Sequence, residues 1–143
     1  MGNRQRYLVY WGKIEKYFRM MRMKINEKVI LINVARTWNP TRSVVELDDK
    51  TMGNWVINKE HAEKACYAFA VFGSIIRQVY KIKPGSWKKV HLKDITELER
   101  KAATKDRWRF EGEIADELVH YVGIDVQQYY PRGAQNPIRY INC

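Results

Sequence analysis

Two cysteines, Cys66 inside an apolar run and Cys143 at the last position, are all that the 143-residue chain carries. So few thiols support neither a disulfide framework nor a thiolate metal site, whose ligands recur at short fixed spacings. Long hydrophobic runs are lacking as well. No stretch approaches the ~20 apolar residues needed to cross a bilayer, and the basic N-terminus leads into no continuous signal-peptide core. The expectation is a soluble, unsecreted, cytoplasmic protein with no membrane partner. Glycine is sparse, 8 residues in all, and none belongs to a Gly-rich loop ahead of a Lys-Ser or Lys-Thr pair, which disfavours nucleotide hydrolysis. Repeats, low-complexity tracts and linkers are missing too, so a chain of this length is expected to form one compact domain.

Acid is the other shortage. Asp and Glu number 16 against 26 Lys and Arg, a formal charge of +10 and a pI near 9.7. A domain above about pI 9 fits a polyanionic partner, although an inert basic surface produces the same figure. The charge is uneven: residues 1–28 hold eight basic and two acidic side chains, which leaves +4 for the remainder. What the chain does have is apolar material, 45% hydrophobic and 13% aromatic, enough to offset the entropy of ordering a fold.

Tyr7, Trp11, Ile14, Phe18 and Met21 recur every three or four residues, the spacing that one helix face collects, with Lys13, Lys16, Arg19 and Arg22 on the other. A basic amphipathic helix is therefore expected within 1–28, followed by a domain over 29–143. Residues 28–34, dominated by apolar and β-branched side chains, read as a buried strand. A short strand over 55–58 and a helix capped by Asn58 come next. The runs 66–72 and 75–82 around Gly73-Ser74 suggest a hairpin, or one strand bent at a glycine bulge. The charged 88–105 stretch is expected as an exposed loop or surface helix, 107–112 as a strand, 115–121 as a short helix ending at Gly123, and 137–142 as a final strand.

Catalytic patterns are not evident. His61, His91 and His120 could act as bases, but none falls in a nucleophile elbow or a Cys-His signature. Asp48-Asp49 and Glu111-x-Glu113 are close carboxylate pairs, and Glu111 and Glu113 on one strand face could hold Mg²⁺ for a nuclease. A solvated strand edge explains them as well. Aromatics interleaved with cations are more distinctive: Trp87-Lys88-Lys89, Arg107-Trp108-Arg109, Arg77 with Tyr80, and Tyr129-Tyr130-Pro131-Arg132. Exposed aromatics can stack on unpaired bases while neighbouring cations neutralise phosphates. Trp55, Trp87 and Trp108 are the candidate base-binding residues, though each could equally be a core anchor. Gln135 and Asn136, in a loop of small residues, could read a base edge through their amides, or Asn136 could simply set a turn before Pro137. Arg77, Lys88, Lys89, Arg109 and Arg132, with Lys13, Lys16 and Arg19, are the candidate phosphate contacts.

The run from Trp55 to Ile82, with Tyr67-Ala68-Phe69-Ala70-Val71-Phe72-Gly73 leading to Ile75-Ile76-Arg77-Gln78-Val79-Tyr80-Lys81-Ile82 and then Trp87, resembles the domain that follows a GIY-YIG nuclease domain in certain bacterial and phage proteins. Arg107-Trp108-Arg109-Phe110-Glu111-Gly112-Glu113, Tyr121-Val122-Gly123 and Gly133 to Asn142 match the same domain in order, over roughly residues 29–143. The nuclease motifs themselves are absent, so no cutting activity is implied. More loosely, the small-residue break and the I-x-x-V-x-x-I ending are similar to the pseudobarrel of the PUA, ASCH and EVE group, whose members hold RNA or a modified DNA base. The expected architecture is therefore α+β: a PUA/EVE-like mixed β pseudobarrel with short peripheral helices. The expected function is binding of DNA or RNA, with an unpaired or modified base in an aromatic pocket, without catalysis, cofactor or metal. A protein partner or a second copy held by the N-terminal helix is the first alternative, and a Mg²⁺-dependent nuclease the second.

Overall fold

The computed structural model describes residues 24–91, 93, 97 and 105–143. The helix expected over 7–21, with Lys13, Lys16 and Arg19, lies outside the described residues, as does most of the charged 88–105 stretch.

In chain order the elements are β1 (Val29–Asn33), α1 (Val44–Met52), α2 (Lys59–Lys64), β2 (Tyr67–Phe72), β3 (Ile75–Ile82), β4 (Lys88–Lys89), β5 (Trp108–Arg109) and β6 (Gly112–Ile114). Two 3₁₀ turns, Asp116–Tyr121 and Gln127–Tyr129, precede β7 (Ile138–Ile141). The protein is thus a small mixed α+β fold. Its main sheet runs β6-β3-β2-β1-β7 and is open rather than closed, while β4 and β5 form a separate two-stranded ribbon. Among the described residues only β1 and β2 are parallel, and a parallel pair needs a crossover, which α1 and α2 supply.

β1 is apolar at almost every position because both faces of the sheet are covered. Successive side chains leave opposite faces. Ile30 and Ile32 join a cluster with Trp38, Leu47, Trp55, Tyr80, Trp87 and Phe110. Val29 and Leu31 join another with Phe69, Val71, Val79, Leu118 and Tyr121. The same alternation sends Ala68 and Ala70 of β2 under the helices, where small side chains leave room for the indoles.

The second face is closed partly by residues grouped by charge with the N-terminal helix. Ile25 is buried there, and the Asn142 amide donates to the carbonyls of Ile25 (3.0 Å) and Glu27 (2.9 Å). The Tyr121 hydroxyl donates to Glu27 at 2.7 Å. Burial, and then that carboxylate, push this hydroxyl up to about 12. Residues 25–28 therefore belong to the body of the domain.

Several sequence expectations are refined. The runs 66–72 and 75–82 form a hairpin, with Gly73 and Ser74 both at positive φ (59° and 64°), the backbone of a tight turn that matches strand twist. It carries a bulge as well: Ala70 pairs with Gln78 and Val71 with Ile76, so Arg77 is the extra residue. The 55–58 strand shrinks to one bridge, Trp55 with Trp108, and the 115–121 helix is a 3₁₀ turn. The 107–112 strand splits into β5 and β6, which serve different sheets. Gly112 makes the second of these possible, because a Cβ there would stand 2.7 Å from the Lys81 carbonyl oxygen. Among the described residues no helix is long and apolar enough to cross a membrane.

Candidate nucleic-acid interface

The ribbon is too short to stand alone, since even an isolated full-length hairpin is marginal in water. Three seams hold it. Trp55 flanks β5, its N–H donating to Trp108 O at 2.9 Å and its carbonyl accepting from Trp108 N at 2.8 Å. Phe110 N donates to Met52 O at 3.0 Å at the end of α1. Glu111 N donates to Ser86 Oγ at 3.0 Å, and that hydroxyl returns a bond to Glu111 O. Within the ribbon Lys89 pairs with Trp108 and Lys88 with Arg109. Paired residues share a face and neighbours alternate. Trp108 and Lys89 therefore lie on one face, Lys88 and Arg109 on the other.

On the first face Trp108 is half-buried, packed at its base against the core. The Lys59 ammonium, from the first position of α2, sits 5.1 Å from its ring centroid, and that of Lys89 sits 5.9 Å away. Both lysines also meet carboxylates at exposed positions, Lys59 with Glu63 at 3.6 Å and Lys89 with Asp106 at 3.3 Å. These solvent-screened pairs are weak tethers.

The other face borders a cavity of about 510 Å³, lined by Thr37, Asp49, Lys50, Gly53, Asn54 and the ribbon residues Lys88 to His91 with Arg109. Arg109 is fixed by Asp49 at 2.5 Å. Its stem lies against Gly53, where a Cβ would come within 2.8 Å of Arg109 Cγ. Lys50 and Lys88 form no ion pair among the described residues.

Two of the three candidate base-binding tryptophans are core anchors instead. Trp55 is only 7% exposed and donates from Nε1 to Thr51 O at 2.8 Å. Trp87, also 7% exposed, packs on Phe110 with ring centroids 4.9 Å apart, and its buried Nε1 has no hydrogen-bond partner. The physical reason is space: the alanines of β2 leave a gap beneath the helices that large indoles fill.

The remaining candidates are dispersed. Arg77, re-aimed by its bulge, lies over the Phe72 ring at 5.6 Å and donates to Phe72 O at 3.3 Å. Arg132 and Gln135 are exposed. Asn136 accepts from Ile138 N at 3.0 Å, the turn-setting role. None of these four lines the ribbon cavity. Sequence reasoning missed Lys50, Lys59 and the Asp49 brace on Arg109. Lys59 could have been found, because it follows the Asn58 cap, whose side chain accepts from His61 N, and so opens a helix beside the ribbon.

Among the described residues no group of three His, Cys, Asp or Glu side chains is placed to hold a metal ion. Glu111 meets Lys83 at 3.6 Å, and Glu113 pairs across the sheet with Lys81. Asp48 and Asp49 diverge: Asp49 braces Arg109, whereas Asp48 accepts the Tyr80 hydroxyl at 2.6 Å. Burial, followed by that bond, drives the Tyr80 hydroxyl well above its ordinary range. His61 stacks on Tyr140 at 5.2 Å, His120 on Tyr121 at 4.4 Å, and His91 lines the cavity. No family model, curated protein or solved structure matches the chain.

Proposed function

We propose that the protein is a non-catalytic module that binds nucleic acid, DNA or RNA, by stacking an unpaired base on Trp108. The observation that carries this reading is the half-buried indole beside two exposed ammonium groups, Lys59 and Lys89. A lysine resting on an exposed ring is worth about 0.5–1 kcal/mol, whereas a base stacked on an aromatic is worth about 1–3 kcal/mol. A stacked base therefore outweighs a single lysine, and an ammonium group that it displaces is left beside the phosphates of the same strand. With Trp55 and Trp87 in the core, the site is one platform rather than a cage, which favours stacking over recognition of a particular modified base. The open mixed sheet with its flanking ribbon is compatible with the pseudobarrel of the PUA, ASCH and EVE group, and that likeness is part of the same reading. So is a cytoplasmic setting, where the free thiols of Cys66 and Cys143 would stay reduced.

The test is titration of the full chain with short single-stranded oligonucleotides at rising salt, followed by tryptophan fluorescence. Quenching is expected, with log K falling linearly against log salt concentration. Absence of binding at low salt, or an affinity indifferent to salt, would sink the proposal.

A further inference from the structure

The cavity on the opposite ribbon face has a different chemistry from the tryptophan platform. Its volume of about 510 Å³ lies within the ~300–1,000 Å³ of ordinary ligand sites. Among the described residues Lys50, Lys88 and Arg109 line it with one carboxylate, Asp49, while Lys89, which also borders it, sends its ammonium over Trp108. That carboxylate is engaged by Arg109, which it holds in place. Gly53 keeps the wall open, since any side chain there would strike the Arg109 stem. Lys50 and Lys88 carry no ion pair among the described residues, in contrast to Lys59, Lys64 and Lys83, each of which meets a glutamate.

One feature opposes an anion. The cavity lies at the C-terminal end of α1, where helix carbonyls concentrate negative potential. Two of those carbonyls are already occupied: Thr51 O accepts from Trp55 Nε1, and Met52 O from Phe110 N. The local balance is left to the cations.

We infer that this cavity is a phosphate subsite, holding a phosphoryl group between Lys50, Lys88 and the braced guanidinium of Arg109. The inference rests on the nucleic-acid reading only for what carries the phosphate, either a strand's terminal monoester or an internal diester. Because Lys88 and Arg109 face away from Trp108, the subsite and the platform are separable by substitution.

Inorganic phosphate is the first probe, titrated into labelled full-length protein against acetate at matched ionic strength. Backbone amide shifts at Gly53, Lys88 and Arg109 are expected with phosphate alone. The double variant Lys50→Gln/Lys88→Gln should weaken phosphate binding by about tenfold or more, while Trp108→Ala leaves it unchanged. Oligonucleotides with a 5′-phosphate or a 5′-hydroxyl identify the source. A preference for the phosphorylated strand that vanishes in the double variant identifies a terminal monoester, and equal affinities lost together identify an internal diester. Phosphate binding without any oligonucleotide binding keeps the subsite and removes the nucleic-acid function. Shifts no larger than with acetate, or an unchanged affinity in the double variant, overturn the subsite.

Discussion

The five-stranded sheet and the two-stranded ribbon are built on opposite terms. β1 and β2 are covered on both faces and hold side chains such as Ile30, Leu31 and Phe69 wholly out of water. The ribbon has two residues per strand, three of its four side chains are cationic, and its ladder is completed by Trp55 from outside. The sheet therefore sets stability and the ribbon can be chosen for what it touches.

The largest expected departure comes from the sheet. Phe69→Ala should cost about 3–5 kcal/mol in urea unfolding, with oligonucleotide affinity per folded molecule unchanged. An affinity lost in proportion would break the division between the two regions. Tyr80→Phe tests the link between them, because Tyr80 reaches from β3 to Asp48 on the helix that also braces Arg109. A hydrogen bond to a charged acceptor is worth about 1.5–3 kcal/mol, and the half-exposed Asp48 can regain water, so the lower end is expected in unfolding measurements. Trp108→Ala should reverse the pattern, losing about 1–3 kcal/mol of binding with a smaller loss of stability than Phe69→Ala.

Alkali sharpens the comparison further. The Tyr121 hydroxyl is raised to about 12 by burial and Glu27, and those of Tyr80 and Tyr130 are raised chiefly by burial. An unfolded tyrosine releases its proton near pH ~10. Between about pH 10 and 12 the unfolded chain thus holds fewer protons than the folded one, and stability falls as pH rises. Tyrosinate absorbance should lag behind that of the urea-unfolded chain across this window; coincident curves would contradict the burial. The smallest effect belongs to Lys89→Gln, which should lower the salt slope of oligonucleotide binding by about one unit and leave unfolding nearly unaltered.

The sheet was legible because its residues obey one rule throughout. A run such as 28–34, apolar on both alternations, demands cover on both faces, and the Asn58 cap and Gly73-Ser74 turn punctuate it with specific chemistry. α1 was not anticipated, since its pattern is weak: Val44 and Val45 are exposed and only Leu47 and Thr51 are buried. The available signal was Ser43-x-x-Glu46, a capping-box spacing, and the Ser43 hydroxyl does accept from Glu46 N at 3.1 Å. At the site, proximity of aromatics and cations in sequence pointed to Trp108, Lys88, Lys89 and Arg109. It could not separate Trp108 from Trp55 and Trp87, because burial of an indole depends on which gap the distant alanines of β2 leave open. Nor could it bring in Lys50 or Lys59, whose approach depends on the crossover between β1 and β2.

Two of the three seams that hold the ribbon are made wholly by main chain, the Trp55–Trp108 bridge and the Phe110 bond to Met52, and the third needs only the Ser86 hydroxyl on Glu111. Backbone bonds are indifferent to the identity of the side chains they carry. Lys88, Lys89 and Trp108 can therefore drift under selection for a new ligand while the frame is inherited intact. Gly53 and Gly112 are the positions where such drift would stop, because there a single added carbon meets a neighbour.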